Sequence, residues 1–165
     1  MRIGFIVTNL AGGGAEKAVL NIAAGLAGRG HRTDIVALEH VVVHAVPAGT
    51  GFHALTREGQ ETSKGWLGKR LAARKLARLL RQLALDAPFQ LLVSTLPFAD
   101  EVAILAGAPA HWCRIANTLS AEVARLASKD PAKAARRIRR YRRMYGGRAL
   151  IAVSEGVGED LRAGI

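Results

Sequence analysis

Residues 3–17 read IGFIVTNLAGGGAEK, and this stretch decides the fold of the 165-residue chain. The apolar run from Ile3 to Val7 predicts a buried strand, and the alanine-rich pattern after Gly14 predicts a helix. A glycine-rich turn between a first strand and a first helix is typical of open α/β sheets that bind phosphates. Glycine lets an anion approach the backbone amides, because no Cβ stands in the way. The turn at Gly12, Gly13 and Gly14 is therefore a candidate anion site.

Length and composition indicate one α/β domain. With 165 residues, of which 50% are hydrophobic, the chain is large enough to bury a core. Its one cysteine, Cys113, excludes an internal disulfide and argues against a thiolate metal site. The apolar stretch that follows Arg2 stops at Val7, which is too short for a secretory signal, and no apolar run is long enough to span a membrane. We expect a cytoplasmic protein.

Strand and helix patterns alternate along the chain. They predict strands at 2–8, 31–38, 40–46, 91–94, 112–117 and 149–153, helices at 15–28, 66–85, 98–106 and 120–145 with a break near Pro131, a turn at 47–51, a mobile loop at 52–64, and a last helix capped by Ser154. In the 66–85 helix, the core face is predicted to hold Leu67, Leu71, Leu79, Leu80 and Leu83. This alternation predicts a doubly wound parallel sheet with helices on both faces.

Two other motifs match the sequence in part. A dinucleotide fingerprint needs G-x-G-x-x-G, and Lys17 stands where its third glycine belongs, although Glu39 follows the second strand as a ribose-binding acid would. The alternative interpretation of the three glycines is a tight turn that binds no ligand. Ser154 lies in a near match to a nucleophile elbow, but no histidine follows it, so a helix cap is the better interpretation.

Positive charge is concentrated in two segments. The formal net charge is +11, and residues 64–81 hold seven of the cations and 129–148 hold nine. A solvated helix face is the default interpretation. Trp66 at the start of the first segment is also typical of a helix that lies on an anionic membrane surface. Nucleic acid is the less favoured partner, because no recognition motif accompanies the charge.

Both ends of the chain resemble a known family. Residues 3–31, IGFIVTNLAGGGAEKAVLNIAAGLAGRGH, and residues 149–161, ALIAVSEGVGEDL, are similar to the N-terminal domain of family 4 retaining glycosyltransferases. Residues 40–145 are similar only in outline. The family has the GT-B architecture, in which two Rossmann-like domains face each other across a cleft.

The resemblance implies that residues 1–165 form the N-terminal, acceptor-side Rossmann-like domain, and that the C-terminal nucleotide-sugar domain is absent from this chain. The family's E-x7-E carboxylates are missing, so we expect the chain alone to be inactive. A nucleotide diphosphate sugar would be the co-substrate, and no metal or other cofactor is expected. The residues implied to face the donor diphosphate and the acceptor are Gly12, Gly13, Gly14 and Glu16.

The same resemblance places further candidates at the carboxyl ends of later strands. Asp100 is the candidate for contact with the acceptor hydroxyl or the donor sugar; its alternative role is that of a first-turn acid stabilised by the helix dipole. The acceptor edge is expected at Thr95, Asn117, Thr118 and Ser120, of which at least one would instead cap a helix. The five histidines show no metal-binding spacing.

The leading hypothesis is half of an enzyme that moves a sugar from a nucleotide-sugar donor to a hydroxyl of a bacterial cell-envelope glycan or lipid-linked acceptor, with retention of configuration. Its expected partners are donor, acceptor, its own C-terminal domain and an anionic membrane surface contacted through 64–81 and 129–148. It would then be cytoplasmic and peripheral to the membrane. The alternatives are a nucleotide- or dinucleotide-binding module without transferase activity, and a basic surface-binding protein.

Overall fold

A computed structural model describes residues 1–164 and divides the chain into two compact units, Met1–Trp112 and a second unit that begins at Cys113. The first unit contains strands β1 (Arg2–Val7), β2 (Arg32–Ala37), β3 (Thr50–Ala54) and β4 (Leu91–Thr95), and helices α1 (Gly14–Ala27), α2 (Trp66–Ala84) and α3 (Pro97–Leu105). Its strands lie in the order β3-β2-β1-β4, and each pair is parallel.

The first unit buries apolar side chains on both faces of its sheet. On one face, Ile6, Val36 and Leu92 pack with the buried residues of α2 and α3. Successive side chains of a strand point to opposite faces, so the neighbouring residues Phe5 and Ile35 point to the other face. Helix α1 contacts β1, β2 and β3 and buries Val19, Leu20 and Ala23. A doubly wound sheet results.

The second unit contains a parallel strand pair and three helices. Strand β5 (His111–Ile115), which begins at the last two residues of the first unit, pairs with β6 (Leu150–Ala152), and the helices are α4 (Leu119–Ala127), α5 (Pro131–Tyr145) and α6 (Glu155–Gly164). Asp130 caps α5, because its Oδ1 accepts a hydrogen bond from the Lys133 amide at 2.8 Å. The predicted break near Pro131 is confirmed, since proline is well suited to the first turn of a new helix.

The predicted fold class, a Rossmann-like doubly wound parallel sheet, is confirmed. Two local predictions are wrong. Residues 40–46 form no strand; only Val42 and His40 make isolated bridges, and the third strand lies at Thr50–Ala54 within the predicted turn and loop. Val42 and Val43, within the predicted strand, are 41% and 65% exposed.

The predicted core face of α2 is also wrong in part. Leu80 is buried, but Leu67 and Leu71 are 67% and 57% exposed. Leu79 and Leu83 are partly buried and pack against the core as predicted, and α2 also buries Ala72, Ala73 and Leu76. Ala72 and Ala73 thus face the core, and the N-terminal leucines Leu67 and Leu71 face outward.

Candidate functional site

The glycine turn follows β1 and opens α1. Gly12 has φ +109°, a backbone conformation that side chains rarely adopt, and Gly13 is the N-cap of α1. Gly13 and Gly14 are exposed, and no side chain caps the helix. A Cβ added at Gly14 would meet no atom within 4 Å. The first amides of a helix have no partner within it, so the N-terminus of α1, with open space beside Gly14, is compatible with a bound anion.

Glu16 lies close to this opening. Its carboxylate folds back over Gly13, where it is the nearest group to a Cβ placed on that glycine. A carboxylate in the first turn is stabilised by the helix dipole, but it repels a second anion. This position therefore suits contact with a hydroxyl better than contact with a phosphate oxygen.

The segment after β2 runs beside the glycine turn. The Leu10 amide donates to Val41 O at 2.8 Å, and the Val43 amide donates to Leu10 O at 2.9 Å. This bridge brings His44 next to Gly12, whose added Cβ would stand 3.3 Å from His44 Nε2. Within residues 1–164, His44 Nε2 is buried and has no hydrogen-bond partner. Sequence reasoning missed this residue as a site candidate, because an isolated bridge to a distant segment positions it.

Glu39 is hydrogen-bonded to Asn9, in the segment that leads into the glycine turn. The Asn9 side chain donates to Glu39 Oε2 at 2.8 Å, and the Thr62 amide donates to Oε1 at 3.1 Å. Asn9 Oδ1 in turn accepts from the Ala11 amide at 3.1 Å. Glu39 is only 3% exposed. Both carboxylate oxygens are thus engaged inside the protein, which weighs against the ribose-binding role of the dinucleotide alternative.

The two candidate residues on either side of the turn after β4 are buried. Thr95 is 1% exposed and Asp100 is fully buried. Ser94 Oγ donates to Asp100 Oδ1, and His111 Nε2 lies 2.8 Å from the same hydroxyl. Leu96 has φ +74°, a strained conformation for a side chain with a Cβ. The structure thus shows Asp100 in a buried hydrogen-bonded network with Ser94, and its contact with a sugar stays a prediction.

The other three candidates belong to the second unit. Asn117, Thr118 and Ser120 are exposed after β5. Thr118 occupies the N-cap position of α4, but its side chain makes no cap bond. Asp160 of α6 does this instead, accepting from the Leu119 amide at 2.8 Å and the Ser120 amide at 3.2 Å. Because the cap comes from a distant residue, local sequence reasoning missed Asp160.

The structure thus brings together one set of predicted residues, Gly12, Gly13, Gly14 and Glu16. These positions do not test the diphosphate role of the glycines, which stays a prediction. The acceptor role also stays a prediction for Thr95, Asn117, Thr118 and Ser120. In the described part of the chain, no group of three His, Cys, Asp or Glu side chains could hold a metal ion. Among the described helices, none has the length and apolar character to cross a membrane.

Ser154 has the structural role expected of it. Its Oγ accepts a hydrogen bond from the Val157 amide at 3.3 Å, and its carbonyl accepts one from Gly158 at 3.0 Å. These are the contacts of a residue that caps a helix N-terminus. The helix-cap interpretation is confirmed.

Comparisons with known proteins agree with this fold. The chain is similar over 99% of its length to sucrose-phosphate synthase from Thermosynechococcus elongatus, with a TM-score of 0.70 and 12% identity. It is similar over 79% of its length to apo UGT2 from Phytolacca americana, with a TM-score of 0.51 and 15% identity. It spans 45% and 33% of those chains, and at these identities the likeness concerns the fold.

Among curated protein sequences, none matches the chain. The model of one protein family, Glycosyltransferase Family 4, matches residues 12–165, from the glycine turn onward. This match covers far more than half of the chain and includes the turn and the last strand and helix. The chain therefore belongs to Glycosyltransferase Family 4.

Proposed function

We propose that this chain is the N-terminal, acceptor-side domain of a retaining glycosyltransferase. The enzyme would transfer a sugar from a nucleotide diphosphate sugar to a hydroxyl of a bacterial cell-envelope glycan or lipid-linked acceptor. The carrying observation is the open glycine turn at the start of α1, in a chain of this family. The amides of Gly13 and Gly14 would contact the donor diphosphate and stabilise its negative charge as the sugar leaves.

The residues around the glycine turn would contact different parts of the substrates. The glycine amides would bind phosphate oxygens, and the Glu16 carboxylate over Gly13 would accept a hydrogen bond from a sugar or acceptor hydroxyl. The opposite assignment, Glu16 against phosphate, would place two anions together. His44, beside Gly12, is a further group that a ligand could reach if the turn shifted. No covalent nucleophile is needed from this domain.

The donor's nucleotide would be held mainly by a second domain. We therefore expect the 165-residue chain alone not to transfer sugar, and we expect transfer by the two-domain enzyme without a metal or other cofactor. We place this enzyme in the cytoplasm.

Inorganic pyrophosphate tests the anion site in the chain as it is. We expect amide NMR signals of residues 12–16 to shift on titration, and Gly14→Val to abolish the shifts, because the new side chain would cover the amides. The added Cβ meets nothing, so Gly14→Val should change the free energy of unfolding by less than about 0.5 kcal/mol. Gly25→Val in the same helix is the matched control, since its Cβ meets only the flexible Arg29 side chain.

Turnover tests the transferase role in the enzyme that contains this domain. Release of nucleoside diphosphate from a panel of uridine and guanosine diphosphate sugars should fall on the order of a hundredfold in Gly14→Val and remain unchanged in Gly25→Val. Equal turnover of Gly14→Val and the parent would contradict the diphosphate role. Tight binding of a nicotinamide dinucleotide to the chain would instead favour the binding-module alternative.

A further inference from the structure

Helix α2 exposes large apolar side chains at its N-terminal end. Trp66 is 65% exposed, Leu67 67% and Leu71 57%. Leu67 and Leu71 are four residues apart, so they lie on one face of the helix. The opposite face of α2 is already buried in the core of the first unit. The exposed patch of Trp66, Leu67 and Leu71 therefore costs free energy in water unless something covers it.

Cations surround this apolar patch. From Ser63 to Leu85 the sequence contains no acidic residue, and the exposed cations are Lys64, Arg70, Arg74, Lys75, Arg78 and Arg81. Arg70 stacks over Trp66 with its guanidinium carbon 4.4 Å from the ring centroid. Lys69 is different, because it pairs with Glu101 of α3 at 2.8 Å. The exposed face of α2 thus combines apolar anchors with unopposed positive charge along its own length.

Helix α5 provides a contrast within the same chain. It is as basic as α2, and its exposed positions include Lys133, Arg136, Arg139 and Arg143. Its buried residues are Ala134, Tyr141, Met144 and Tyr145, and it contributes none of the chain's exposed large hydrophobic side chains in residues 1–164. Charge alone attracts many anionic partners, whereas charge together with exposed apolar side chains fits a narrower set.

We propose that the exposed face of α2 docks on an anionic lipid bilayer. The cations would contact lipid phosphates, and Trp66, Leu67 and Leu71 would enter the boundary between head groups and acyl chains. Charge complementarity selects this partner, since residues 64–81 offer six exposed cations and no acid. The apolar patch selects a bilayer over nucleic acid, which contacts cations but leaves exposed leucines in water. The inference is independent of the transfer chemistry.

Vesicle sedimentation of the 165-residue chain tests the proposal. We expect binding to vesicles that contain phosphatidylglycerol, little binding to pure phosphatidylcholine, and weaker binding as salt is raised. Each surface cation changes the attraction about fivefold, so a triple variant, Arg74→Gln, Lys75→Gln and Arg78→Gln, should bind at least tenfold more weakly. The matched control on α5, Arg136→Gln, Arg139→Gln and Arg143→Gln, removes equal charge and should reduce binding less than threefold.

A second pair of measurements isolates the apolar anchors. Leu67→Gln with Leu71→Gln keeps every charge and should also weaken vesicle binding at least tenfold, whereas a charge-only surface would be unaffected. In a Trp112→Phe background Trp66 is the only tryptophan, and its emission should shift to the blue on binding. Circular dichroism should show every variant folded, because the substituted side chains are exposed.

Several outcomes would overturn the proposal. Equal losses in the α2 and α5 triple variants would show that only net charge matters. Binding to double-stranded DNA without binding to vesicles would assign the face to nucleic acid. Dimerisation that is lost with the two leucines, without vesicle binding, would assign it to a second copy of the chain. An unshifted Trp66 spectrum on bound vesicles would contradict insertion of the patch.

Discussion

His44 has the least satisfied polar atom near the candidate site. Its Nε2 is buried beside Gly12 and has no hydrogen-bond partner in residues 1–164. Leaving such a group without a partner costs about 1–3 kcal/mol of stability. We expect His44→Phe, which keeps an aromatic ring without the polar atom, to raise the free energy of unfolding by about 1 kcal/mol in urea titrations.

Activity measurements decide whether His44 contacts a ligand. If a ligand's hydroxyl or phosphate satisfies His44 when the glycine turn moves, His44→Phe should lower donor turnover about tenfold or more in the enzyme containing this domain. His44→Gln, which retains a hydrogen-bonding group, should recover part of the loss. A more stable variant with full activity would limit His44 to a packing role.

At the scale of elements, one buried carboxylate connects three strands and the end of a helix. Asp34 of β2 accepts from Arg2 Nε of β1 at 2.8 Å and lies 3.0 Å from His53 Nε2 of β3. Arg2 also donates to the carbonyls of Leu83 and Ala87, at 2.5 and 2.6 Å. Burial opposes the charged form of Asp34, but the hydrogen bonds and charges of Arg2 and His53 outweigh it and lower its pKa.

The lowered pKa has a defined consequence for stability. A carboxyl group whose pKa is lower in the folded than in the unfolded chain stabilises the fold above about pH 4, its unfolded pKa, and this contribution is lost as pH falls through the folded pKa. Asp34→Asn should therefore lower the free energy of unfolding at neutral pH by about 3 kcal/mol, since it leaves the buried Arg2 without its charged partner. Urea unfolding from pH 7 to pH 3 should show a flatter acid dependence in the variant; an unchanged slope would contradict the role of Asp34.

The elements also show how far the sequence predicts this fold. The β1 to α1 transition, the parallel class and the helix break at Pro131 follow from local patterns and were predicted. The position of the third strand was predicted wrongly. The valines at 41–43 favour a strand locally, whereas β3 forms through pairing with β2, which is distant in the sequence. Thr50 pairs with Thr33 of β2 through a 2.8 Å hydroxyl contact, and this information is not local.

The candidate site shows the same division between local and distant information. Glycine chemistry identified the turn, since φ +109° at Gly12 is a local requirement. The positions of His44 and Asp160 depend on contacts between segments far apart in the chain, so no spacing rule could find them. Helix periodicity in α2 likewise could not decide which of two leucine-containing faces enters the core.

For the whole molecule, the dominant property is a net charge of +11 on 165 residues. Charge of one sign destabilises a compact state through self-repulsion, and salt screens this repulsion. Most of the surplus lies in two helical segments rather than evenly over the surface. Stability and surface binding should therefore respond to salt in opposite directions: the fold should strengthen, and attachment to an anionic bilayer should weaken.

The α5 triple variant, Arg136→Gln, Arg139→Gln and Arg143→Gln, measures the repulsive part alone. These side chains are exposed and lie on a helix without an exposed apolar patch, so the variant removes three charges and little packing. We expect its Tm at low salt to exceed that of the parent by a few degrees, about 1 kcal/mol for a chain of this size. The difference should shrink as sodium chloride is raised to about 0.5 M, where the screening length is only a few ångströms. A lower Tm in the variant at every salt concentration would show that the α5 arginines stabilise the fold through contacts with their neighbours, and that self-repulsion does not limit its stability.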